Sequence, residues 1–338
     1  MSIAGKTDTG KKRGMNEDSF HAEKINNIHL AVVCDGVGGA KAGEVASSIG
    51  VKSFVETFKE LLASSYLKEK EKEKEKEKKD SAQSKDSKNT KVSKNIKNTK
   101  NPQNPPNSQI NTGDISESNN IDYKDILIAS VAKANEDIFS ASKENKETRG
   151  MGTTMVACIF DKDANEYFAV NVGDSRLYII DEKKHKLTQI TKDHSLVQDL
   201  VDSGALTKEQ AEKSPNKNII TRVLGIDDVV DVDFYRDKYE SGIFLLCSDG
   251  LCDYVAEEDI VKFVSQWAQY GSDEDTADAE DNENNKNNEN SENIKNNENK
   301  NGGENENIDN IENCLSSLIS KANENGGGDN ITAVIIKP

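Results

Sequence analysis

Acidic residues flank apolar, strand-like runs at several places in this sequence. The runs "AVVCDG" and "FLLCSDG" both end in Asp-Gly, which places Asp35 and Asp249 directly after an apolar run. Asp174 follows another such run, and Asp329 stands just before the last one. Carboxylates crowded at one site repel each other. Hard divalent cations prefer oxygen ligands and relieve this repulsion, so these acids are candidate metal ligands.

The stretch "RGMNEDSF" adds Glu17 and Asp18, with Arg13 four residues before Glu17. The histidines show no paired metal-ligand spacing, so an all-oxygen site favours Mg²⁺ or Mn²⁺ over zinc. Two such ions can lower the pKa of a shared water and aim it at phosphorus, while an arginine fork holds phosphate oxygens. The combination suits hydrolysis of a phosphate ester. Spacing alone leaves the alternative open that these acids are separate turn or capping residues.

The glycine-rich loop after Asp35, "DGVGGAKAGE", does not match two nucleotide-binding patterns. The dinucleotide fingerprint requires glycine at its sixth place, where this loop has Lys41. A P-loop requires lysine after its second glycine, where this loop has Glu44. We therefore interpret Asp35, rather than the glycines, as the chemically active residue, with an ordinary Asp-Gly turn as the alternative.

Composition limits the class of protein. The formal net charge of −17 argues against general nucleic-acid binding, which usually requires a basic surface. The sequence contains no apolar run long enough to span a membrane, and its first residues lack the apolar centre of a signal peptide. The five cysteines form no C-x-x-C pair. We expect reduced thiols in a cytoplasmic protein.

Two segments of low complexity interrupt the sequence, at residues 68–120 and 271–312. The first begins "KEKEKEKEKEKK", and the second is rich in Asn, Glu and Asp. Like charges four residues apart disfavour a helix in the first segment, and both segments have few apolar residues to bury. We predict a single domain over residues 1–338 with these two segments as disordered insertions.

The rest of the sequence predicts alternating strands and helices. Runs rich in branched and aromatic residues predict strands, namely "IHLAVVC", "TTMVACIF", "EYFAVNV", "RLYIID", "GIFLLC" and "ITAVIIK". Apolar residues at helical spacing predict helices in "AGEVASSIGVKSFVETFKELLASSYL", "YKDILIASVAKANEDIFSAS", "EEDIVKFVSQWAQ" and "IENCLSSLISKANE". Short gaps between strands favour hairpins and antiparallel pairing.

These features together resemble the metal-dependent Ser/Thr protein phosphatases of type 2C, particularly the compact bacterial form. The matching segments, in order, are "RGMNEDSF", "VVCDGVGGAKAGEVAS", "GMGTTMV", "VNVGDSRLY", "LTQITKDHSLVQDLVDSGALT", "NIITRVLG", "LLCSDGLCDYV" and "GGGDNITAVII". No single motif is decisive, but eight in the right order are specific. The resemblance implies an α+β fold of four layers, α-β-β-α, with two antiparallel sheets packed face to face and helices on both outer sides.

The resemblance also implies roles for individual residues. Asp35 would bridge two Mn²⁺ or Mg²⁺ ions, and the Gly36 carbonyl would bind one of them. The other implied metal ligands are Glu17, Asp249 and Asp329, with Asp174 near a third ion. Asp18 would orient water and Arg13 would clamp the substrate phosphate. Residues near 194–218 match a mobile flap beside the site.

One position departs from many eukaryotic members of this family, which have histidine after the bridging Asp-Gly where this sequence has Val37. We expect a metal-bound water to donate the proton, with His194 as an alternative donor or as a loop-capping residue. The expected partners are phosphorylated proteins and a cognate Ser/Thr kinase, and we expect a monomer that binds neither nucleic acid nor membrane. The alternative functions are a catalytically inactive phosphoprotein-binding module and a specialised stress or sporulation phosphatase.

Overall fold

Strands and helices alternate along the chain in the computed structural model, which describes residues 2–38, 42–86, 121–144, 146–270 and 302–338. The strands are β1 (Ser2–Asp8), β2 (Asp18–Ile25), β3 (Ile28–Val37), β4 (Gly152–Thr153), β5 (Met155–Asp161), β6 (Glu166–Val172), β7 (Arg176–Asp181), β8 (Lys186–Gln189), β9 (Asp233–Lys238), β10 (Ile243–Cys247) and β11 (Ile331–Lys337). The helices are α1 (Gly43–Asp86), α2 (Tyr123–Glu144), α3 (Leu196–Asp202), α4 (Lys208–Glu212), α5 (Asp249–Cys252), α6 (Glu257–Tyr270) and α7 (Gly302–Glu324).

The strands form two antiparallel sheets. One sheet has the order β1-β11-β10-β7-β8, and the other has the order β2-β3-β5-β6-β9, with β4 paired to β3. Apolar side chains from both sheets form a shared core, which includes Val33 and Val156 from one sheet and Leu246 and Val334 from the other. The two sheets therefore pack face to face.

Helices cover the outer face of each sheet. On the first sheet, α5, α6 and α7 bury a second apolar cluster against β10 and β11. On the second sheet, the Tyr123 ring of α2 lies 4.8 Å from the Phe168 ring of β6, centroid to centroid. Gly50 of α1 packs on β3, since a Cβ there would lie in van der Waals contact with the Cys34 Sγ, at 3.5 Å. The predicted four-layer α-β-β-α sandwich is confirmed.

The chain divides into two compact units, residues 1–58 with 123–338 and residues 59–122. The site described below lies entirely in the first unit. In the second unit, the structure describes residues 59–86, as the continuation of α1, and residues 121–122. None of the helices in the described ranges is long and apolar enough to cross a membrane.

Both predicted insertions overlap helices at one end. The first predicted insertion begins at residue 68, yet α1 continues to Asp86, so the expectation that Lys/Glu alternation opposes a helix is wrong there. Lys and Glu have high helix propensity, and opposite charges three residues apart offset like charges four apart. The helix α7 begins at Gly302, within the second predicted insertion. Residues 87–120 and 271–301 lie outside the described residues.

Candidate active site

Strand ends bring the predicted acidic residues to one end of the sandwich. Asp18 begins β2 and lies directly opposite Asp35 of β3. The sequence had suggested that Asp35 follows the strand. The strand β3 continues to Val37, so Asp35 lies within it. In the other sheet, Cys247 at the end of β10 pairs with the first residue of β7 and with β11. The remaining acids stand just beyond these strand ends, at Asp174, Asp249 and Asp329.

Asp18 is buried between the two sheets and connects them. Its Oδ2 accepts hydrogen bonds from Ser248 Oγ at 2.8 Å and from Thr332 Oγ1 at 2.7 Å. Its Oδ1 is buried and has no hydrogen-bond partner among the described residues. Burial, together with the nearby charges of Asp249 and Asp329, raises the pKa of Asp18 to about 7, although the two hydrogen bonds lower it.

Asp35 lies at the centre of the carboxylates. Its backbone N–H donates to Thr154 Oγ1 at 2.9 Å, and its carbonyl accepts from the Thr154 N–H at 2.8 Å, so its backbone position is fixed. Burial raises the pKa of Asp35 well above its usual value, and the charges of Asp18, Asp249 and Asp174 act in the same direction. Asp329 contributes as well, and carboxylates that perturb one pKa in this way share one site.

Asp249 begins the short helix α5, and its carboxyl group lies close enough to that of Asp35 for the two to perturb each other's pKa. Burial is the largest cause that raises the pKa of Asp249 to about 6, and the charges of Asp329 and Asp253 contribute in the same direction. Its Oδ1 is buried without a hydrogen-bond partner in the described part of the chain. Gly250 permits this geometry, because a Cβ there would lie 1.9 Å from the Asn330 carbonyl oxygen.

Two further predicted oxygen ligands meet beside Gly43. A Cβ added to Gly43 would lie 2.9 Å from the Gly36 carbonyl oxygen and 3.0 Å from Glu17 Oε1. The backbone of Gly36 is held there by its N–H, which donates to the Glu17 carbonyl at 3.1 Å. Burial raises the pKa of Glu17, Arg13 lowers it, and the charge of Glu44 raises it. Glu17 and the Gly36 carbonyl therefore face one small space that only glycine at position 43 leaves free.

Arg13 lies at the exposed side of this cluster. Its Nη2 donates to Asp329 Oδ2 at 2.8 Å, and its Nη1 lies 3.9 Å from Glu17 Oε2. The hydrogen bond with Asp329 raises the pKa of Arg13, so the guanidinium remains charged. The arginine side chain is 47% exposed. A cation that touches the carboxylates and faces solvent is placed to meet an incoming anion.

Asp174 reaches the cluster from the loop between β6 and β7. It is 7% exposed. Burial, together with the charges of Asp249 and Asp193, raises its pKa to about 7. Gly173 precedes it with a φ of +109°, a conformation that glycine adopts without strain. Asp174 and Asp249 are thus electrostatic neighbours, on the side of the site where the third ion was predicted.

Comparison with known proteins identifies the family. A protein-family model described as Protein phosphatase 2C matches residues 10–282. The chain belongs to the protein phosphatase 2C family. The matched range contains all the predicted site residues except Asp329, which the fold brings to the same site. The resemblance seen in the sequence is therefore confirmed.

Individual relatives agree with this assignment. The serine/threonine phosphatase stp of Listeria monocytogenes serotype 4b (strain F2365) is 31% identical over 267 residues, which cover 78% of this chain and 83% of that protein. The crystal structure of the serine/threonine phosphatase Stp1 from Staphylococcus aureus has a TM-score of 0.63 at 26% identity and covers 100% of this chain and 94% of its own. The catalytic domain of the phosphatase PstP, solved with two manganese ions, has a TM-score of 0.59 at 25% identity and covers 99% and 96%. This chain is accordingly a protein-serine/threonine phosphatase.

His194 of this phosphatase is part of a hydrogen-bonded network that connects the flap to the sheet. Its Nδ1 accepts from the Gly173 N–H at 3.0 Å, and Arg222 Nη1 lies 3.0 Å from its Nε2. That nitrogen lies 3.3 Å from Asp233 Oδ2, and Arg222 donates to Asp233 Oδ1 at 2.8 Å. Burial lowers the pKa of His194. These contacts favour the loop-capping interpretation of His194 over that of a proton donor.

Asn330 is a site residue that the sequence analysis did not single out. Its Oδ1 accepts from the Glu17 N–H at 2.8 Å, and its Nδ2 donates to the carbonyls of Thr9 and Met15, both at 2.9 Å. One amide side chain thus fixes the loop that carries Arg13 and Glu17. Its place directly after Asp329 was the available signal, since an amide beside a predicted ligand is well placed to orient its neighbours.

The donor atoms of the phosphatase suit a hard divalent cation. Within the described ranges, no three acidic, histidine or cysteine side chains form a group that could hold a metal ion as it stands. However, carboxylate oxygens of Asp18, Asp249 and Glu44 are buried without a hydrogen-bond partner, which is costly unless a cation compensates them. Together with the oxygens that face Gly43, they make an all-oxygen donor set. The residues present therefore fit Mn²⁺ or Mg²⁺.

Proposed function

We propose that this phosphatase hydrolyses phosphoserine and phosphothreonine in proteins at the carboxylate cluster, with the help of Mn²⁺ or Mg²⁺. The observation that carries the proposal is the group of buried carboxylates whose pKa values are raised by burial and by one another's charges, with Arg13 at their exposed side. The negative charges of such a group repel one another, and bound cations relieve this repulsion. The two manganese ions of the PstP catalytic domain support the same metal chemistry here.

Each oxygen ligand has a proposed place. Two core ions would be held by Glu17, Asp35, the Gly36 carbonyl, Asp249 and Asp329. A third ion would be held by Asp174 and Asp249, which are electrostatic neighbours. When bound, the ions supply a water of lowered pKa and neutralise charge on the phosphate.

The chain's own side chains bind and orient the reactants. Arg13 has five N–H donors in a planar fork, and one of its nitrogens is held by Asp329. The rest of the fork would bind two phosphate oxygens of the substrate. Asp18 is fixed by Ser248 and Thr332 through Oδ2. Its Oδ1, which has no partner in the described residues, would accept a hydrogen bond from the attacking water and orient it.

Phosphate release from a phosphothreonine peptide tests this proposal. We expect turnover with Mn²⁺, none with EDTA, and a loss of at least about 100-fold in Asp35→Asn and Asp249→Asn. Asp237→Asn is the matched control, since Asp237 is exposed on β9, and it should keep full turnover. Equal turnover in all variants and in EDTA would overturn the metal mechanism. Metal binding without turnover in the unchanged protein would favour an inactive phosphoprotein-binding module.

The cellular role follows from this chemistry. We propose that the enzyme acts as a monomer in the cytoplasm and opposes a Ser/Thr protein kinase. All five cysteines are free thiols, which suits a reducing compartment. Phosphoproteomics after removal of the protein should show phosphoserine and phosphothreonine sites that increase together, and light scattering should give the mass of one chain.

A further inference from the structure

Lys11 and Lys12 directly precede the proposed phosphate clamp, on the loop between β1 and β2. The backbone N–H groups of both lysines donate to the Gly327 carbonyl, at 2.8 and 3.1 Å. Gly10, with a φ of +73°, packs so closely that a Cβ there would lie 2.0 Å from the Asp329 carbonyl oxygen. These contacts hold the backbone of both lysines in a fixed place beside the site.

The side chains of Lys11 and Lys12 are exposed. Neither belongs to an ion pair in the ranges that the structure describes, whereas three cations on or near the flap and the Asp174 loop are paired. The paired cations are Lys217 with Asp253, Arg176 with Asp193 and Arg222 with Asp233. The two lysines are therefore positive charges that remain available to a partner.

The position of Lys11 and Lys12, on the loop between β1 and β2, favours the binding of substrates with acidic residues. The chain carries a net charge of −17, which on average disfavours the approach of an acidic protein. The loop offers local attraction one and two residues from the arginine that would hold the phosphate. Two or three residues of extended peptide span about 7–10 Å, which is within the reach of a lysine side chain on this loop.

We propose that Lys11 and Lys12 make the enzyme prefer substrates with acidic residues within about three positions of the phosphorylated residue. The inference rests on the proposed function, because it requires the phosphate to bind at Arg13. Both lysines act on substrate binding and leave the chemical step alone. They should therefore affect the KM of acidic peptides and their salt dependence, with kcat nearly constant.

The test compares Lys11→Glu/Lys12→Glu with the matched control Lys24→Glu/Lys162→Glu. Lys24 and Lys162 are also exposed, but they lie at the far ends of β2 and β5, away from the site. Both double variants change the net charge by the same amount. The substrates are phosphothreonine peptides with acidic, neutral or basic flanking residues, together with p-nitrophenyl phosphate. Each is assayed with Mn²⁺ at low and at high salt.

In Lys11→Glu/Lys12→Glu, kcat/KM for the acidic peptide should fall about fivefold or more at low salt. The basic peptide should improve, and p-nitrophenyl phosphate should not change. The control variant should match the unchanged enzyme on every substrate. Equal turnover of acidic and neutral peptides by the unchanged enzyme would overturn the inference, as would an equal fall on every substrate. Failure of the unchanged enzyme on all phosphopeptides would instead overturn the proposed function.

Discussion

Arg13 and Asp329 are joined by a 2.8 Å hydrogen bond although they lie 316 residues apart in the sequence. The bond fixes the loop before β2 against the loop before β11, and each loop carries a predicted site residue. Because the arginine is half exposed, the ion pair itself contributes little to folding stability. Its effect is to keep the guanidinium aimed at the carboxylates.

Replacement of this arginine should therefore affect activity more than stability. In Arg13→Ala, kcat/KM for a phosphothreonine peptide should fall about 10- to 100-fold, the worth of a charged hydrogen bond. The free energy of unfolding should change by less than about 1 kcal/mol. Arg13→Lys keeps the charge but loses the planar fork, so its activity should be intermediate. Equal activity of Arg13→Ala and the unchanged enzyme would exclude Arg13 as the clamp.

Gly250→Ala should disturb the site through the backbone. The added Cβ would lie 1.9 Å from the Asn330 carbonyl oxygen, so α5 and Asp249 must shift. We expect a loss of about 1–3 kcal/mol in the free energy of unfolding and reduced turnover, measured by urea titration and phosphate release. Gly14→Ala is the control, because a Cβ at Gly14 meets nothing within 4 Å. Similar unfolding midpoints for the two variants would contradict the close approach.

The buried strands could be predicted from the sequence, whereas the edge strands could not. The strands missing from the sequence analysis are β1, β2, β8 and β9, and these are the outermost strands of the two sheets. An edge strand has one partner and carries polar residues that limit aggregation. Segments such as "KLTQ" and "DFYRDK" therefore lack the apolar pattern by which the central strands were predicted.

Only part of the site could be predicted, because sequence patterns identify single residues but not how the fold brings them together. Asp35 and Asp249 could be identified because each ends an apolar run, but their convergence depends on strand register, which periodicity does not determine. Asn330 acts through hydrogen bonds to backbone groups far away in the sequence, so its role appears only in the folded chain. The single domain with two insertions stays a prediction. The predicted insertions become shorter, because α1 extends to Asp86 and α7 begins at Gly302.

His29 should make the enzyme less stable at acidic pH. It is 1% exposed, and neither ring nitrogen has a hydrogen-bond partner among the described residues. Burial lowers its pKa to about 4, below about 6.5 in the unfolded chain. Between these values the unfolded state binds more protons, so stability falls as the pH drops from about 6.5 towards 4.

His29→Phe should remove this loss. Phenylalanine cannot be protonated, and it would pack near Phe160, whose ring centroid lies 6.3 Å from that of His29. The stability difference between the variant and the unchanged enzyme should grow by about 2 kcal/mol from pH 7 to pH 4.5. Urea titrations at several pH values measure it. A difference independent of pH would show that His29 titrates normally in the folded protein.

Asp174 should have the opposite pH dependence when divalent ions are removed. Burial and the charge of Asp249 raise its pKa to about 7, above about 3.9 in the unfolded chain. The folded state therefore binds the extra proton, and the stabilisation is lost as the pH rises from about 4 through 7. In EDTA, the free energy of unfolding of Asp174→Asn should rise by about 2–4 kcal/mol relative to that of the unchanged enzyme as the pH increases from 4 to 8. Asp237→Asn should gain nothing, and parallel curves for Asp174→Asn and the unchanged enzyme would contradict the raised pKa.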